Sequence, residues 1–248
     1  MERKGTILVG APRHGKTYFA ERAGISYAKK GGVAVAYNVG MQKDFYNYIS
    51  VSLITPEKKV LMMKEKGQRA KLSDMPAVID FFMVNETEKI YHLKDLCRMF
   101  RGKCVKIERL NPQLQEERMF FKAVFRYFYN ALVILDDFRA MTRNGMPSEF
   151  IELTSRQNHC GKNYCTGESV GVDLIYIYHS FQYVPNEMYT TSNSIVQFKT
   201  QIAPKSTDNE ELENLLTENY EYLKTAPKYT RIEIDTLSLQ QKIVKPNT

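Results

Sequence analysis

Thr6-Ile7-Leu8-Val9-Gly10-Ala11-Pro12-Arg13-His14-Gly15-Lys16-Thr17-Tyr18 is the stretch that decides the fold of this chain. Four residues with three aliphatic side chains run into a glycine, as a buried strand entering a tight turn does. Residues 10–17 then match the spacing G-x-x-x-x-G-K-[ST] in full. Each fixed position has a chemical reason. Gly10 lets the strand turn sharply, and Gly15 lets successive backbone N–H groups converge on one anion. The helix that follows presents its positive N-terminal end to the same oxygens. Lys16 is spaced to reach the outer phosphates of a nucleoside triphosphate, and Thr17 to offer a hydroxyl to Mg²⁺. The binding set read here is Gly10, Pro12, Arg13, His14, Gly15, Lys16, Thr17 and Tyr18.

Working outward, residues 16–30 read as a helix, with Phe19, Ala20, Ala23 and Tyr27 at helical spacing and Gly31-Gly32 ending it. Residues 33–37 read as a second apolar strand. A strand, helix and strand in succession predict a parallel sheet. Residues 41–104 carry Met-, Lys- and Tyr-rich segments without clean periodicity, punctuated by Pro56 and Pro76. They are expected to form an insertion of helices and loops. Beyond it the pattern predicts a strand at 105–107, a helix at 113–130, a strand at 131–135 and a helix at 149–156. Strands at 172–178 and 194–202, an acidic helix at 209–224 and a last strand at 229–237 complete the reading. The expected fold is α/β: a central, mostly parallel sheet flanked by helices, in a single P-loop ATPase domain over 1–248.

The second half of the site is Leu132-Val133-Ile134-Leu135-Asp136-Asp137. An apolar strand ending in acids puts carboxylates at the carboxyl edge of the sheet, where Mg²⁺ must be held. Asp136 is assigned to Mg²⁺, and Asp137 to orienting the attacking water. Composition agrees with a folded, phosphate-binding chain. The 248 residues are 25% charged with a formal net charge of +7, which favours phosphate-bearing partners such as nucleic acid. Cys97, Cys104, Cys160 and Cys165 are too few and too uneven for a disulfide framework. Cys160, Cys165 and His159 lack the two-residue spacing of a zinc knuckle, which leaves a metal there an open question. No apolar run approaches the roughly 20 residues that span a bilayer, and the N-terminus runs directly into a strand without the apolar segment of a signal peptide.

With both motifs in place, the layout resembles the HerA/FtsK superfamily of DNA-pumping P-loop ATPases, with its RecA/FtsK-like sheet. A long helix leads directly into the acidic strand. The next strand, Gly171-Val172-Asp173-Leu174-Ile175-Tyr176-Ile177-Tyr178, ends in His179-Ser180-Phe181-Gln182, where the superfamily carries a polar sensor, typically Gln. Tyr183-Val184-Pro185 and the strand Ser194-Ile195-Val196-Gln197-Phe198 follow in its order. Two departures stand out: Asp137 where the superfamily often has Glu, and a longer link at 157–170. The size resembles that of the small genome-packaging ATPases of viruses with double jelly-roll capsids and internal membranes.

That resemblance implies ATP and Mg²⁺ as cofactors and a ring, usually a hexamer, with the active site at the subunit boundary. It implies Gln182 as the sensor and an arginine supplied in trans, best matched by Arg156 with Arg139 and Arg143 as rivals. It further implies double- or single-stranded DNA bound without regard to sequence, capsid vertex proteins as possible partners, and a soluble protein in the host cytoplasm or on the virion. Lys58, Lys59, Lys64, Lys66, Arg69 and Lys71 form one basic stretch fit for DNA backbone contacts. Arg98, Arg101, Lys103, Lys106 and Arg109 form another. Three other readings stay open: a phage morphogenesis ATPase, a P-loop kinase or nucleotide switch with no DNA substrate, and a scaffold with a vestigial loop.

Overall fold

The computed structural model describes residues 4–37, 45–75, 77–87, 89–107, 114–139, 146–161, 167 and 170–246. β1 (Gly5–Val9) leads through the glycine loop into α1 (Lys16–Lys29), which returns the chain to β2 (Val33–Tyr37). β2 is buried along its whole length, as a strand covered on both faces should be. β3 (Ile49–Ile54), α2 (Pro56–Glu65), β4 (Phe81–Val84), β5 (Ile90–His92), α3 (Leu96–Met99) and β6 (Cys104–Ile107) follow. Then come α4 (Leu114–Tyr127), β7 (Ala131–Leu135), α5 (Ser148–Ser155), β8 (Val172–Tyr178), α6 (Asn186–Thr191) and β9 (Ser194–Phe198). α7 (Glu210–Thr225), β10 (Arg231–Asp235) and β11 (Gln241–Val244) complete the described elements.

These strands make one sheet in the order β11-β10-β9-β1-β8-β7-β2-β6-β3-β4-β5. From β9 to β3 every neighbouring pair is parallel. The antiparallel pairs lie at the two edges, β9–β10–β11 on one side and β3–β4–β5 on the other. The expected α/β class and mostly parallel sheet are therefore what the chain adopts.

Residues 41–104 differ from the expectation of helices and loops. β3 joins the parallel sheet beside β6, with Ile49 opposite Val105, and β4 and β5 extend it as a meander. Ile49-Ser50-Val51-Ser52-Leu53 does alternate with a strand period, but it is short and sits among Met- and Lys-rich residues that blur the pattern. β11 also follows the strand expected to be last. Its residues, Gln241-Lys242-Ile243-Val244, are mostly exposed, as suits an edge.

The two faces of the sheet are packed differently. Ala34, Ala36, Leu132, Ile134 and Ile177 meet α1 through Ala20 on one face. On the other, Val33, Val35, Tyr37, Val133 and Tyr176 meet α4 and α5, and α7 contributes Leu212 and Leu216. Aromatic rings fill this second layer. Tyr37 stacks on Phe120 at 3.8 Å between centroids, and Phe138 touches Phe150 at 4.6 Å and Tyr176 at 5.4 Å. Phe138 follows Asp136 and Asp137 directly, so this cluster anchors the acidic turn. We expect Phe138→Ala to lower unfolding stability by about 3–5 kcal/mol in urea denaturation. A loss below about 1 kcal/mol would show that the turn is held by something else.

Candidate functional site

The loop between β1 and α1 has the backbone that its sequence requires. Gly15 adopts φ +96°, a left-handed conformation that only glycine reaches without strain. It stands at the N-cap of α1, no side chain caps that end, and no acid occupies the first turn. The amides of the first turn are thus left to an external anion. Gly10 has a different reason from the sharp turn expected of it. A Cβ there would lie 2.6 Å from the Cβ of Phe198, so its small size is needed for close packing against β9. The loop is further tied by Gly10 N–H donating to Tyr178 O (3.2 Å) and Ala11 N–H donating to Lys199 O (2.8 Å). Pro12, Arg13 and Tyr18 are exposed, and His14 Nδ1–H donates to Pro12 O (2.9 Å).

Lys16 is buried, with 4% of its surface exposed. Its ammonium donates to Gly10 O (2.6 Å) and Ala11 O (2.9 Å), which holds it within the loop that it serves. Burial lowers its pKa to about 8, and the Asp136 carboxylate opposes that shift. Asp136 therefore lies within electrostatic reach of Lys16, at the carboxyl end of β7, as the apolar run before it predicts. Its Oδ1 accepts from the Asp137 N–H (3.1 Å), so the first acid caps the turn that exposes the second. Asp137 itself is exposed at φ +44°, a left-handed region that Asp tolerates better than most residues. A carboxylate within electrostatic reach of an anion-binding loop, together with the hydroxyl of that loop's threonine, is a donor set suited to a hard cation such as Mg²⁺. Thr17 and Asp136 are the residues that would hold one.

β8 runs between β1 and β7, and its register determines what stands between loop and acids. Val9 pairs with Tyr178 on one side, and Leu135 pairs with Tyr176 on the other. The residue that leaves the sheet beside Gly10 is therefore His179. Its pKa is held below the ordinary imidazole value by burial and then by Lys16, with Asp137 opposing and Arg139 adding to the depression. Sequence reasoning selects Gln182 at this strand end and misses His179. The signal that points to His179 is its position one residue past the strand. Gln182 lies on a short 3₁₀ turn further along, exposed, with its backbone N–H donating to Ser180 Oγ (3.3 Å).

The arginines separate in space. Arg139 stacks over Tyr183, 3.4 Å from the ring centroid, within the electrostatic field of His179. Arg156 ends α5, pairs with Glu152 (3.2 Å) and lies 5.4 Å over Phe125. Phe125 is in the last turn of α4, just before β7 begins, so Arg156 belongs to the amino edge of the sheet, away from its own loop. Arg143, Arg109 and Cys165 lie outside the described residues. Cys160 is buried with its thiol pushed up to about 12 by burial, so it stays protonated. No cluster of three or more His, Cys, Asp or Glu able to hold a metal is found among the described residues.

The first basic stretch is continuous: Lys58, Lys64, Lys66, Arg69 and Lys71 are exposed on and after α2, and Lys59 sits 3.7 Å over the Phe81 ring. The second stretch is not one surface. Lys106 is buried in β6, while Arg98 pairs with Asp95 (3.0 Å) and Arg101 and Lys103 sit at the amino end of that strand. Among the described residues, no helix is long and apolar enough to cross a membrane.

Sheet, loop and acidic strand together define the P-loop NTPase fold. The chain is similar to the genome packaging NTPase B204 from Sulfolobus turreted icosahedral virus 2, solved in complex with ATP-gammaS. Identity is 16% and the TM-score 0.57, over 99% of both chains. With the same protein in complex with sulfate, identity is 14% and the TM-score 0.58, over 100% of this chain and 99% of that one. It is also similar to VirB4 of Thermoanaerobacter pseudethanolicus, at 10% identity and a TM-score of 0.53, over 98% of this chain and 89% of that one. No protein-family model and no curated protein matches the sequence. At these identities the likeness is one of fold, and it agrees with the HerA/FtsK-like layout that the motifs resemble.

The electrostatics of Lys16 have a measurable consequence. Its folded pKa lies below the ordinary lysine value of 10.5, so between about pH 8 and 10.5 the unfolded chain binds more protons. This group therefore adds stability as pH rises through that window. Removing the charge that opposes the shift should lower the pKa further. In Asp136→Asn, the Lys16 side-chain NMR titration should move to lower pH than in the parent protein. An unmoved midpoint would separate the acid from the loop.

Proposed function

We propose that this protein is an ATP-hydrolysing DNA translocase, of the kind that pumps a viral genome into a preformed capsid. The observation that carries the reading is the strand order β1-β8-β7. It places a polar strand end between the phosphate loop and the acids, so the state of the terminal phosphate can be felt by a group fixed to the sheet. The similarity to a genome packaging NTPase over nearly the full length of both chains supports the same reading.

In this reading the loop amides and Lys16 hold the β- and γ-phosphates. Thr17 and Asp136 would hold Mg²⁺, which when bound would supply charge neutralisation on the phosphates. Asp137 orients water toward the γ-phosphorus, whose bond to the bridging oxygen breaks as ADP leaves. His179, whose proton affinity is lowered by burial and by Lys16, is the sensor candidate beside the loop, and Gln182 lies beyond it as the second. The trans-acting arginine is Arg156, with Arg139 as its rival. Arg156's place at the amino edge, away from its own loop, supports a role on a neighbour's site, as a ring such as a hexamer would provide. Capsid vertex proteins are the docking partner, and the protein works in the host cytoplasm or on the virion.

Sequence-independent DNA contact is assigned to Lys58, Lys59, Lys64, Lys66, Arg69 and Lys71. α2 begins at the carboxyl end of β3, so its first turn, with Lys58 and Lys59, starts from the edge of the sheet that carries the loop. They are five strands along from β1, roughly 24 Å at the usual strand spacing.

ATP hydrolysis measured with and without double- and single-stranded DNA tests the reading. DNA should stimulate it, and Lys16→Ala should abolish it. His179→Ala should bind nucleotide yet lose at least about tenfold in turnover. Hydrolysis indifferent to any nucleic acid would move the assignment to a kinase or nucleotide switch. Reversing charge at Lys64 and Lys66 together should weaken DNA binding and flatten its salt dependence by a slope of about 2. An unchanged slope would take α2 off the DNA path.

A further inference from the structure

The sheet order also determines which way a bound nucleotide must lie. Asp136, Asp137 and His179 stand on the β8–β7 side of the loop. A γ-phosphate drawn to them leaves the nucleoside end pointing the other way, over β9 and β10. There a cleft of about 980 Å³ opens from His14 and Gly15 and runs between α1 and the C-terminal strands. That volume lies within the range of small-molecule sites.

Two large aromatic side chains line it and remain open to solvent: Tyr18 at 65% and Tyr229 at 49%. The Tyr229 ring sits directly against the phosphate loop, its Cδ1 3.4 Å from where a Cβ on Gly15 would lie. Its backbone is held at φ +71°, with Thr230 N–H donating to Pro227 O (3.1 Å) in the same turn. Cations complete the cleft. Arg231 bonds Glu233 (2.9 Å) and lies 5.0 Å over Phe19, while Arg22 from α1 and Lys245 from the chain after β11 also line it. No Asp or Glu is among the described residues that line it.

We infer that this cleft is the nucleobase subsite, in which Tyr229 and Tyr18 hold the base by stacking and contact. The inference rests on the phosphate-loop reading and deepens it. Every base presents a π-face, so stacking is tolerant of base identity. With no carboxylate to accept from the N1–H and 2-amino group of guanine, the cleft cannot select guanine over adenine through that edge. The substrate class is nucleoside triphosphates, taken with little discrimination between adenine and guanine.

Calorimetric titration of the full chain with ATP, GTP and inorganic tripolyphosphate tests this, in the parent protein and in Tyr229→Ala, Tyr229→Phe and Tyr18→Ala. Tyr229→Ala should weaken ATP by roughly fivefold to a hundredfold and leave tripolyphosphate unchanged. Tyr229→Phe should restore ATP binding, and ATP and GTP should bind the parent within roughly fivefold of each other. Should Tyr229→Ala fail to fold, seen as loss of its thermal transition, Tyr18→Ala on the exposed side of α1 carries the same comparison. Equal weakening of ATP and tripolyphosphate, no weakening of either, or a strong preference for one purine overturns the subsite. Failure of the parent chain to bind tripolyphosphate at all, or binding that survives Lys16→Ala, overturns the phosphate site itself and this inference with it.

Discussion

The backbone ladder that holds β8 between β1 and β7 is the constraint on which the rest of the molecule depends. Parallel pairing on both sides brings three strand ends to one edge in register, with Val9 opposite Tyr178 and Leu135 opposite Tyr176. Each end carries a different chemistry: a glycine loop, an imidazole and a pair of carboxylates. Because the ladder is made of many backbone hydrogen bonds, the relative position of these groups does not rely on any single side chain. One residue of slip in either pairing would also turn every core side chain to the wrong face.

The packing on the two sides of this ladder is unequal, and the inequality serves the site. Small residues, Ala34 and Ala36, let α1 come close to one face, and that proximity brings its N-terminus over the strand ends. The opposite face is filled by rings from α4 and α5, among them Phe120, Phe138 and Phe150. Phe138 ties the acidic turn into this layer directly. The side with the thin layer can therefore present a loop and cleft, while the side with the thick layer supplies rigidity.

Electrostatics then follow from geometry. A lysine in this position is shielded from water, which lowers its proton affinity, while Asp136 raises it again, and its ammonium donates to two loop carbonyls. His179 receives the sum of Lys16, Asp137 and Arg139. The arrival of a polyphosphate would shift both groups toward their charged forms, since a concentrated negative charge favours ammonium and imidazolium. Protonation state and occupancy are in this way coupled within a few residues of the strand ends.

Much of the site is legible in the chain. Gly15, Lys16 and Thr17 declare themselves because anion binding by backbone amides demands one spacing and one left-handed residue. Asp136 and Asp137 follow because a buried apolar strand gains nothing from two acids at its end unless a cation or a turn uses them, and the phosphate loop calls for a cation. The parallel core can be read from its apolar runs, whereas β3, β4, β5 and β11 cannot, because short strands of mixed polarity lack a decisive period and are stabilised by their neighbours. His179 is obscured for a related reason: nothing local distinguishes it from Gln182 until the register shows which of them leaves the sheet beside Gly10. Gly10 itself reads as a turn residue, yet its small size answers to Phe198, nearly two hundred residues away in the chain. Tyr229 and Arg231 carry no motif at all. The sequence determined the phosphate-loop motif and the fold class, because both rest on local spacing. Only the tertiary structure decided which side chains stand beside that loop and where a cleft opens from it, because those depend on strand order, and strand order is set by contacts between residues far apart in the chain.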